Sequence, residues 1–175
     1  MSVYFYGCIT MDGYLADANH SLEWLYQTGS TEETSYADFY KKMNVTIMGK
    51  KTFDEVAKMD DINSVYPTTE NYVFTHQESL PVSGFIPIAT DIVEFVSGIK
   101  ANQNIWIVGG NQLLAPLLDE NLLDTMIIQI APVLLGRGVP LFTQKEILRR
   151  FYLEEVNKYG QFAELVYQKM GGRLE

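Results

Sequence analysis

Two short segments of this 175-residue chain carry residue types suited to holding an anion. In the first, Asn104-Ile-Trp-Ile-Val-Gly-Gly-Asn-Gln-Leu-Leu114, a run of strand-formers stops at Gly109 and Gly110, and a helix-compatible run follows. Residues without side chains let a ligand come close to the backbone. The N–H groups that open the next helix, at Asn111, Gln112 and Leu113, favour negative charge. The second segment, Gly49-Lys50-Lys51-Thr52, also joins a strand to a helix and adds two ammonium groups to the helix dipole. Most Gly-Gly pairs are simple turns, and a lysine pair is common on any surface. The context of the first segment is what points to chemistry: a strand, a glycine pair and a helix suggest a phosphate-bearing ligand at the carboxyl end of a central strand.

Composition narrows the partners. Thirteen Lys and Arg against 22 Asp and Glu give a net charge of −9. Long-range attraction therefore favours neither a nucleic acid nor an anionic membrane, although one local basic spot can hold one anionic cofactor. Cys8 is the single cysteine, so no internal disulfide is possible, and the two histidines lack zinc-like spacing. No metal site is expected. The amino terminus lacks the basic start and long apolar core of a signal peptide, and no stretch approaches the ~20 apolar residues that span a bilayer. The expectations are a cytoplasmic location and a small-molecule partner. Length and the 47% hydrophobic content suit one domain, residues 1–175, with a proper core.

The elements that must position these segments follow from pattern. Val3 to Thr10, Val45 to Met48, Tyr72 to Thr75, Phe85 to Ile88, Asn104 to Val108 and Thr125 to Ala131 read as strands. Tyr36, Phe39, Tyr40 and Met43 recur at helical spacing, in a helix opened by Ser30 or Thr31. Lys50 to Val56 forms another helix. Asp91 and Glu94 are spaced as a capping box for one reaching about Lys100. Met11 to Glu23, Asp60 to Asn71 and Pro132 to Phe142 read as loops. Tyr152 to Val156 and Phe162 to Gln168 form a closing hairpin. The fold class is α/β: a three-layer α/β/α domain whose mostly parallel sheet ends in an antiparallel hairpin. The apolar Thr125 to Ala131 strand and the hairpin are where a homodimer would pair.

Four segments in this order resemble the dihydrofolate-reductase-like fold family. They are Ile9-Thr-Met-Asp-Gly-Tyr-Leu-Ala16, Ile47-Met-Gly-Lys-Lys-Thr-Phe53, Ile107-Val-Gly-Gly110, and Pro132-Val-Leu-Leu-Gly-Arg-Gly138 with Leu141-Phe142. The closest branch is the reductase domain of the bifunctional riboflavin-biosynthesis deaminase-reductase and its stand-alone relatives. The resemblance implies NADPH as hydride donor and a pterin- or pyrimidine-type substrate. It places Gly109 and Gly110 on the cofactor's pyrophosphate, often with a cis bond between them. Gly49, Lys51 and Thr52 would lie along the same pyrophosphate, and Lys50 would meet the adenosine 2′-phosphate. Thr75 and His76 would hold the adenosine end, and Cys8, Leu15 and Ala16 would face the nicotinamide. The thiol of Cys8 reads as a packing group whether or not the ring touches it.

On the substrate side the pattern is less definite. Dihydrofolate reductases carry an acid on the helix before the second strand. Counting back from Ile47 without gaps puts Glu33 there, while aligning Phe39-Tyr40-Lys41 puts Ser35 or Tyr36 there. Asp38, one turn nearer the strand, is the candidate acid that could face the pocket. Trp24 is the candidate for lining a substrate cleft, Trp106 reads as core, and Arg137 as a rim or solvated cation. The uncertain acid favours riboflavin-type reduction over dihydrofolate reduction. The chain has no deaminase domain or zinc motif, so it could not carry out both riboflavin steps. The alternative is a nucleotide-binding or structural protein that keeps the fold without catalysis.

Overall fold

The computed structural model describes residues 1–59, 62–99, 101–143, 145 and 148–171. In chain order the first strands are β1 (Ser2–Thr10), β2 (Tyr14–Asp17), β3 (Val45–Gly49), β4 (Glu70–Phe74) and β5 (Phe85–Ile88). They are followed by β6 (Asn104–Gly109), β7 (Thr125–Ala131), β8 (Gly138–Pro140), β9 (Phe151–Tyr159) and β10 (Phe162–Lys169). The helices are α1 (Glu23–Thr28), α2 (Tyr36–Tyr40), α3 (Lys50–Val56), α4 (Ile62–Val65), α5 (Ile92–Gly98) and α6 (Asn111–Asp119).

Eight strands form one sheet in the order β5-β4-β3-β6-β1-β7-β10-β9. All pairings from β5 to β7 are parallel, and β10 and β9 close the sheet antiparallel. This is the three-layer arrangement expected from the alternation of strands and helices. On one face α5 and α6 bury Ile92, Val96, Leu114, Leu117 and Leu118 against Val3, Phe5, Ile47 and Ile107. On the other, α2 and α3 bury Phe39, Phe53 and Val56 against Tyr6, Met48 and Trp106. Strand β3 is buried from Val45 to Met48, its one polar member Thr46 donating to Asn71 at 2.7 Å, so both faces are covered and no apolar/polar alternation is read. Full burial of a side chain such as Phe53 contributes about 1.5–3 kcal/mol. A third cluster joins Trp24 of α1 to Ala131 and Phe162, with Cys8 and Leu25 packed against it.

Several elements differ from the sequence reading. β7 pairs with β1 and β10, so it lies inside the sheet and cannot pair across an interface; among the described strands β9 is the edge beside it, with Tyr152, Leu153 and Val156 exposed. The helix expected from Thr31 splits into a 3-10 turn, Thr31–Glu33, and α2, with Ser30 Oγ accepting the N–H of Glu32 at 3.2 Å. Within the segment read as loop from Asp60 to Asn71, a short helix α4 forms and β4 begins at Glu70, while Asp60 and Asp61 lie outside the described residues. Asp91 caps α5 by accepting from the N–H groups of Val93 and Glu94, whereas the Glu94 carboxylate accepts from Thr90. That helix ends at Gly98, and Lys100 lies outside the described residues.

The segments read as loops around Leu15 and Gly138 pair as the two-stranded sheet β2-β8. Asp12 ties them from below. Its carboxylate accepts from Thr10 Oγ1 at 2.6 Å and from the N–H groups of Leu135 and Gly136 at 3.1 and 2.7 Å. The Thr10 hydroxyl first, then the Gly136 and Leu135 amides, hold the Asp12 carboxyl below the usual carboxylate range against the opposing effect of desolvation. This tie is present above the ordinary carboxylate pKa and is lost as pH falls through the depressed value. A Cβ built on Gly138 would stand 2.3 Å from the Ala16 carbonyl oxygen, so this approach requires glycine. Gly138→Ala should therefore separate β2 from β8, at a cost of about 1–3 kcal/mol typical of overpacking. Amide hydrogen exchange at Tyr14–Asp17 checks this, and protection equal to wild type would refute it.

Candidate cofactor and substrate site

The parallel order creates one place where neighbouring strands send their chains apart. From β3 the chain enters α3 on one face and continues to β4. From β6 it enters α6 on the opposite face and continues past β1 to β7. A crevice forms where such connections diverge, at the carboxyl ends of the strands, and it is the usual ligand position in open α/β sheets. Here that position falls between Gly49 and Gly110. A Cβ built on Gly110 would lie 3.7 Å from the Gly49 nitrogen and 3.8 Å from its Cα, so the two glycine backbones lie against each other. Gly110 turns the chain with φ +95°, a conformation that favours glycine. The resemblance implied a cis bond here, but the described residues contain no cis peptide; the positive φ makes the turn instead. Thr52 completes the contact, its Oγ1 lying 3.1 Å from where a Gly109 Cβ would stand.

Gly49 and Gly110 are the N-cap residues of α3 and α6, and neither helix has a side-chain cap. The first-turn N–H groups, which include those of Lys50, Lys51, Asn111 and Gln112, therefore lack the acceptor that a Ser or Asp cap would supply. A cradle of glycine backbone with uncapped amides fits an anionic group of a dinucleotide. The lysines are already engaged. Lys50 Nζ pairs with Asp54 at 2.5 Å and lies 5.7 Å from the Phe53 ring centroid, while Lys51 Nζ is 3.4 Å from His20 Nε2. The Asn111 side chain donates to the Pro140 carbonyl at 2.9 Å, and Leu113 packs toward Gly49.

The remaining expected residues fall around this crevice. Phe74 of β4 pairs with Gly49, so Thr75 and His76 emerge at the same sheet end; His76 is exposed, and Thr75 donates its N–H to Ile88. Leu15 and Ala16 lie on β2, within the strap that β8 holds. Cys8 is half-buried on β1, and burial pushes its thiol up to about 12, so it is an inert packing group. Trp24 is buried, and its indole N–H has no hydrogen-bond partner among the described residues.

Asp38 is not brought into the pocket. Its side chain is 82% exposed and pairs with Lys41 at 3.0 Å, because α2 turns Phe39 inward and so carries its neighbour outward. A different carboxylate is buried. Glu164 of β10 is 2% exposed, and its Oε2 accepts from Ser35 Oγ at 2.5 Å and Gln129 Nε2 at 2.9 Å. Gln129 Nε2 also donates to the Tyr6 hydroxyl at 2.8 Å. Desolvation raises the Tyr6 pKa, opposed by hydrogen bonds with Ser35 and Thr34. The sequence reading missed Glu164, Gln129 and Tyr6. The signal was available in β10: Phe162 is a core residue, and the period-2 alternation puts Glu164 on the same inward face.

Comparison with known proteins bears on the family and the fold. The family model for the RibD C-terminal domain matches residues 3–163. The chain belongs to that family. The uncharacterized protein YwjB of Bacillus subtilis is 28% identical over 167 residues, covering 93% of this chain and 94% of YwjB. A putative riboflavin biosynthesis protein from Shewanella sp. PV-4 superposes with a TM-score of 0.85 at 23% identity, covering 98% of this chain and all of that one. Dihydrofolate reductase from Enterococcus faecalis, complexed with NADP(H), shares the fold with a TM-score of 0.64 at 12% identity over 96% of both chains. The RibD C-terminal domain family is a family of reductase-like domains, and this chain carries that α/β fold.

The Gly49–Gly110 contact yields a direct test. Gly110→Ala forces a side chain into a left-handed conformation against the Gly49 backbone. It should cost about 1–3 kcal/mol in strain and disturb both uncapped helix ends. Denaturant unfolding measures the first effect, and loss of backbone-amide NMR perturbation by added pyrophosphate measures the second. Wild-type stability together with a wild-type pyrophosphate response would show that the two glycines are not a joint site.

Proposed function

We propose that the protein is an NADPH-dependent reductase of a pyrimidine- or pterin-like heterocycle, with riboflavin-type reduction favoured over dihydrofolate reduction. The observation that carries this reading is the switch-point crevice, where two uncapped helix ends meet through glycine backbones. Membership of the RibD C-terminal domain family and the fold shared with an NADP(H)-complexed reductase support it. The bound cofactor would supply a hydride.

This chain's residues do the holding and the drying. Gly49, Gly109, Gly110, Lys51, Thr52 and the amides of Asn111 and Gln112 would hold the pyrophosphate, whereas the Leu113 N–H expected to join them already donates to the Gly110 carbonyl at 2.9 Å; Thr75 and His76 would border the adenosine. Lys50 meets the 2′-phosphate after exchanging its partner Asp54 for the new anion. Cys8, Leu15 and Ala16 bound an apolar slot that excludes water from the reacting face, and Trp24 lines the substrate side. Glu33 and Asp38, the two carboxylates weighed for the helix acid, are both exposed, which supports riboflavin-type over dihydrofolate reduction.

Fluorescence titration with NADPH and NADH, followed by NADPH oxidation with a panel of aminopyrimidines and dihydropterins, tests the proposal. NADPH is expected to bind more tightly than NADH; absence of NADPH binding would sink the enzyme reading, and binding without turnover would favour a non-catalytic nucleotide-binding protein. Charge-assisted contacts of about 1.5–3 kcal/mol correspond to roughly 10- to 100-fold in affinity. Lys50→Ala should lose that much for NADPH and little for NADH, while Asp54→Asn should strengthen NADPH alone by freeing the ammonium. Equal losses for the two nucleotides would remove Lys50 from the 2′-phosphate.

A further inference from the structure

Glu164 is a carboxylate with an exposure of 2%, and it takes part in none of the ion pairs among the described residues. Burying a charge without a cation is costly, and only hydrogen-bond donors offset it here. Those donors define the state of every member of the cluster. The Glu164 carboxylate accepts, so Ser35 spends its single hydroxyl hydrogen on it. The Gln129 amide spends both hydrogens, one on Glu164 and one on Tyr6. Flipping that amide would set its oxygen against the carboxylate, so the network permits one orientation. The Tyr6 hydroxyl then directs its own hydrogen toward Thr34 or Ser35, each at 3.3 Å. The Ser35 oxygen is left with lone pairs alone, polarised by the carboxylate behind it. Ser35 is also the half-buried member of the Ser35–Glu164–Gln129 chain, and so its outlet.

The cluster lies beside the slot assigned to the reacting ring. Cys8 pairs with Gln129 and Gln129 pairs with Glu164, so the three stand in one row across β1, β7 and β10. With strands ~4.8 Å apart, Glu164 is about 10 Å from Cys8 at the backbone. Trp24 packs on Ala131 and Phe162, two residues further along β7 and two before Glu164 on β10, on the same face. Such rows are ~7 Å apart, the scale of one heterocyclic ring. The indole N–H of Trp24 has no acceptor among the described residues, and the Ser35 oxygen keeps a lone pair beyond the one that Tyr6 can fill.

We propose that Glu164 is a positioning residue that locks Ser35 as a hydrogen-bond acceptor for an amino or ring N–H edge of the substrate, with Trp24 donating to a ring carbonyl. This rests on the reductase reading for its chemistry, but its binding test does not require the cofactor.

The test uses isocytosine, which offers an amino group and a ring carbonyl, against 2,4-dimethoxypyrimidine, which offers neither N–H nor carbonyl. Binding is followed by calorimetry or ligand NMR, with and without NADPH. Wild type should prefer isocytosine by at least ~10-fold, the scale of one lost polar contact. Glu164→Gln and Ser35→Ala should abolish that preference while leaving NADPH affinity near wild type; Ser35→Ala should also lower the melting temperature, because the buried carboxylate loses a donor, and Ser35→Thr, which restores the hydroxyl, should recover both. Trp24→Phe, which keeps the ring and deletes only the N–H, should weaken isocytosine alone. Retention of the preference in Glu164→Gln and Ser35→Ala overturns the role of Glu164, as does failure of wild type to bind isocytosine. Failure to bind NADPH sinks the reductase reading separately, because the comparison without cofactor still decides this one.

Discussion

The contact between the Gly49 and Gly110 backbones sets what the rest of the fold can do. Parallel strands β3 and β6 must lie ~4.8 Å apart to share a ladder, and their outgoing helices must diverge to opposite faces. Any side chain at either turn would occupy the space between the two helix ends. The chain forgoes ordinary capping there. Where no ligand site is proposed, at α5, Asp91 accepts two backbone N–H groups, a cap worth about 0.5–2 kcal/mol. At α3 and α6 glycine stands in the same position and the amides are left for another acceptor. α1 and α2 also lack a side-chain cap, so what sets α3 and α6 apart is that their two ends meet through glycine backbone.

The cofactor and strap halves of the site are mechanically joined. Asp12 fastens the turn after β1 to the loop after β7, and β8 pairs with β2. The Asn111 side chain then binds the Pro140 carbonyl, linking the first residue of α6 to the end of β8. Leu15 and Ala16 are therefore held through β8 by the same helix whose N-terminus follows the glycine pair. Three short links thus tie the β2-β8 strap to the glycine turn.

Much of the architecture was legible because the central strands announce themselves. β3, β6 and β7 are buried on both faces, and runs such as Val45 to Met48 and Ile105 to Ile107 have no other stable home. The elements that were not legible are short and depend on partners. β2 and β8 have four and three residues, with no alternation to read, and exist because Asp12 and Gly138 bring two loops together. α1 has six residues and one buried side chain, Trp24, too little for a periodic signal. The apolar character of β7 was visible, but its place inside the sheet was not, since strand order is set by pairings across the whole chain.

The same division explains which half of the site could be read. The cofactor side uses backbone amides at strand-helix turns, and these come with local glycine patterns. The buried polar cluster proposed for the substrate side is assembled from contacts 129, 123 and 35 residues apart in sequence, between Ser35 and Glu164, Tyr6 and Gln129, and Gln129 and Glu164. No motif can encode such a set. Position on a pleated strand can, because one face of β10 is committed to the core by Phe162, and a charge two residues later must share that face. By the same geometry Asp38, next to inward-facing Phe39 on a helix, must turn to water. The search for an acid therefore belonged on the strands that cross the sheet beside Cys8, where a carboxylate can be held by neighbouring rows, rather than on the surface helix.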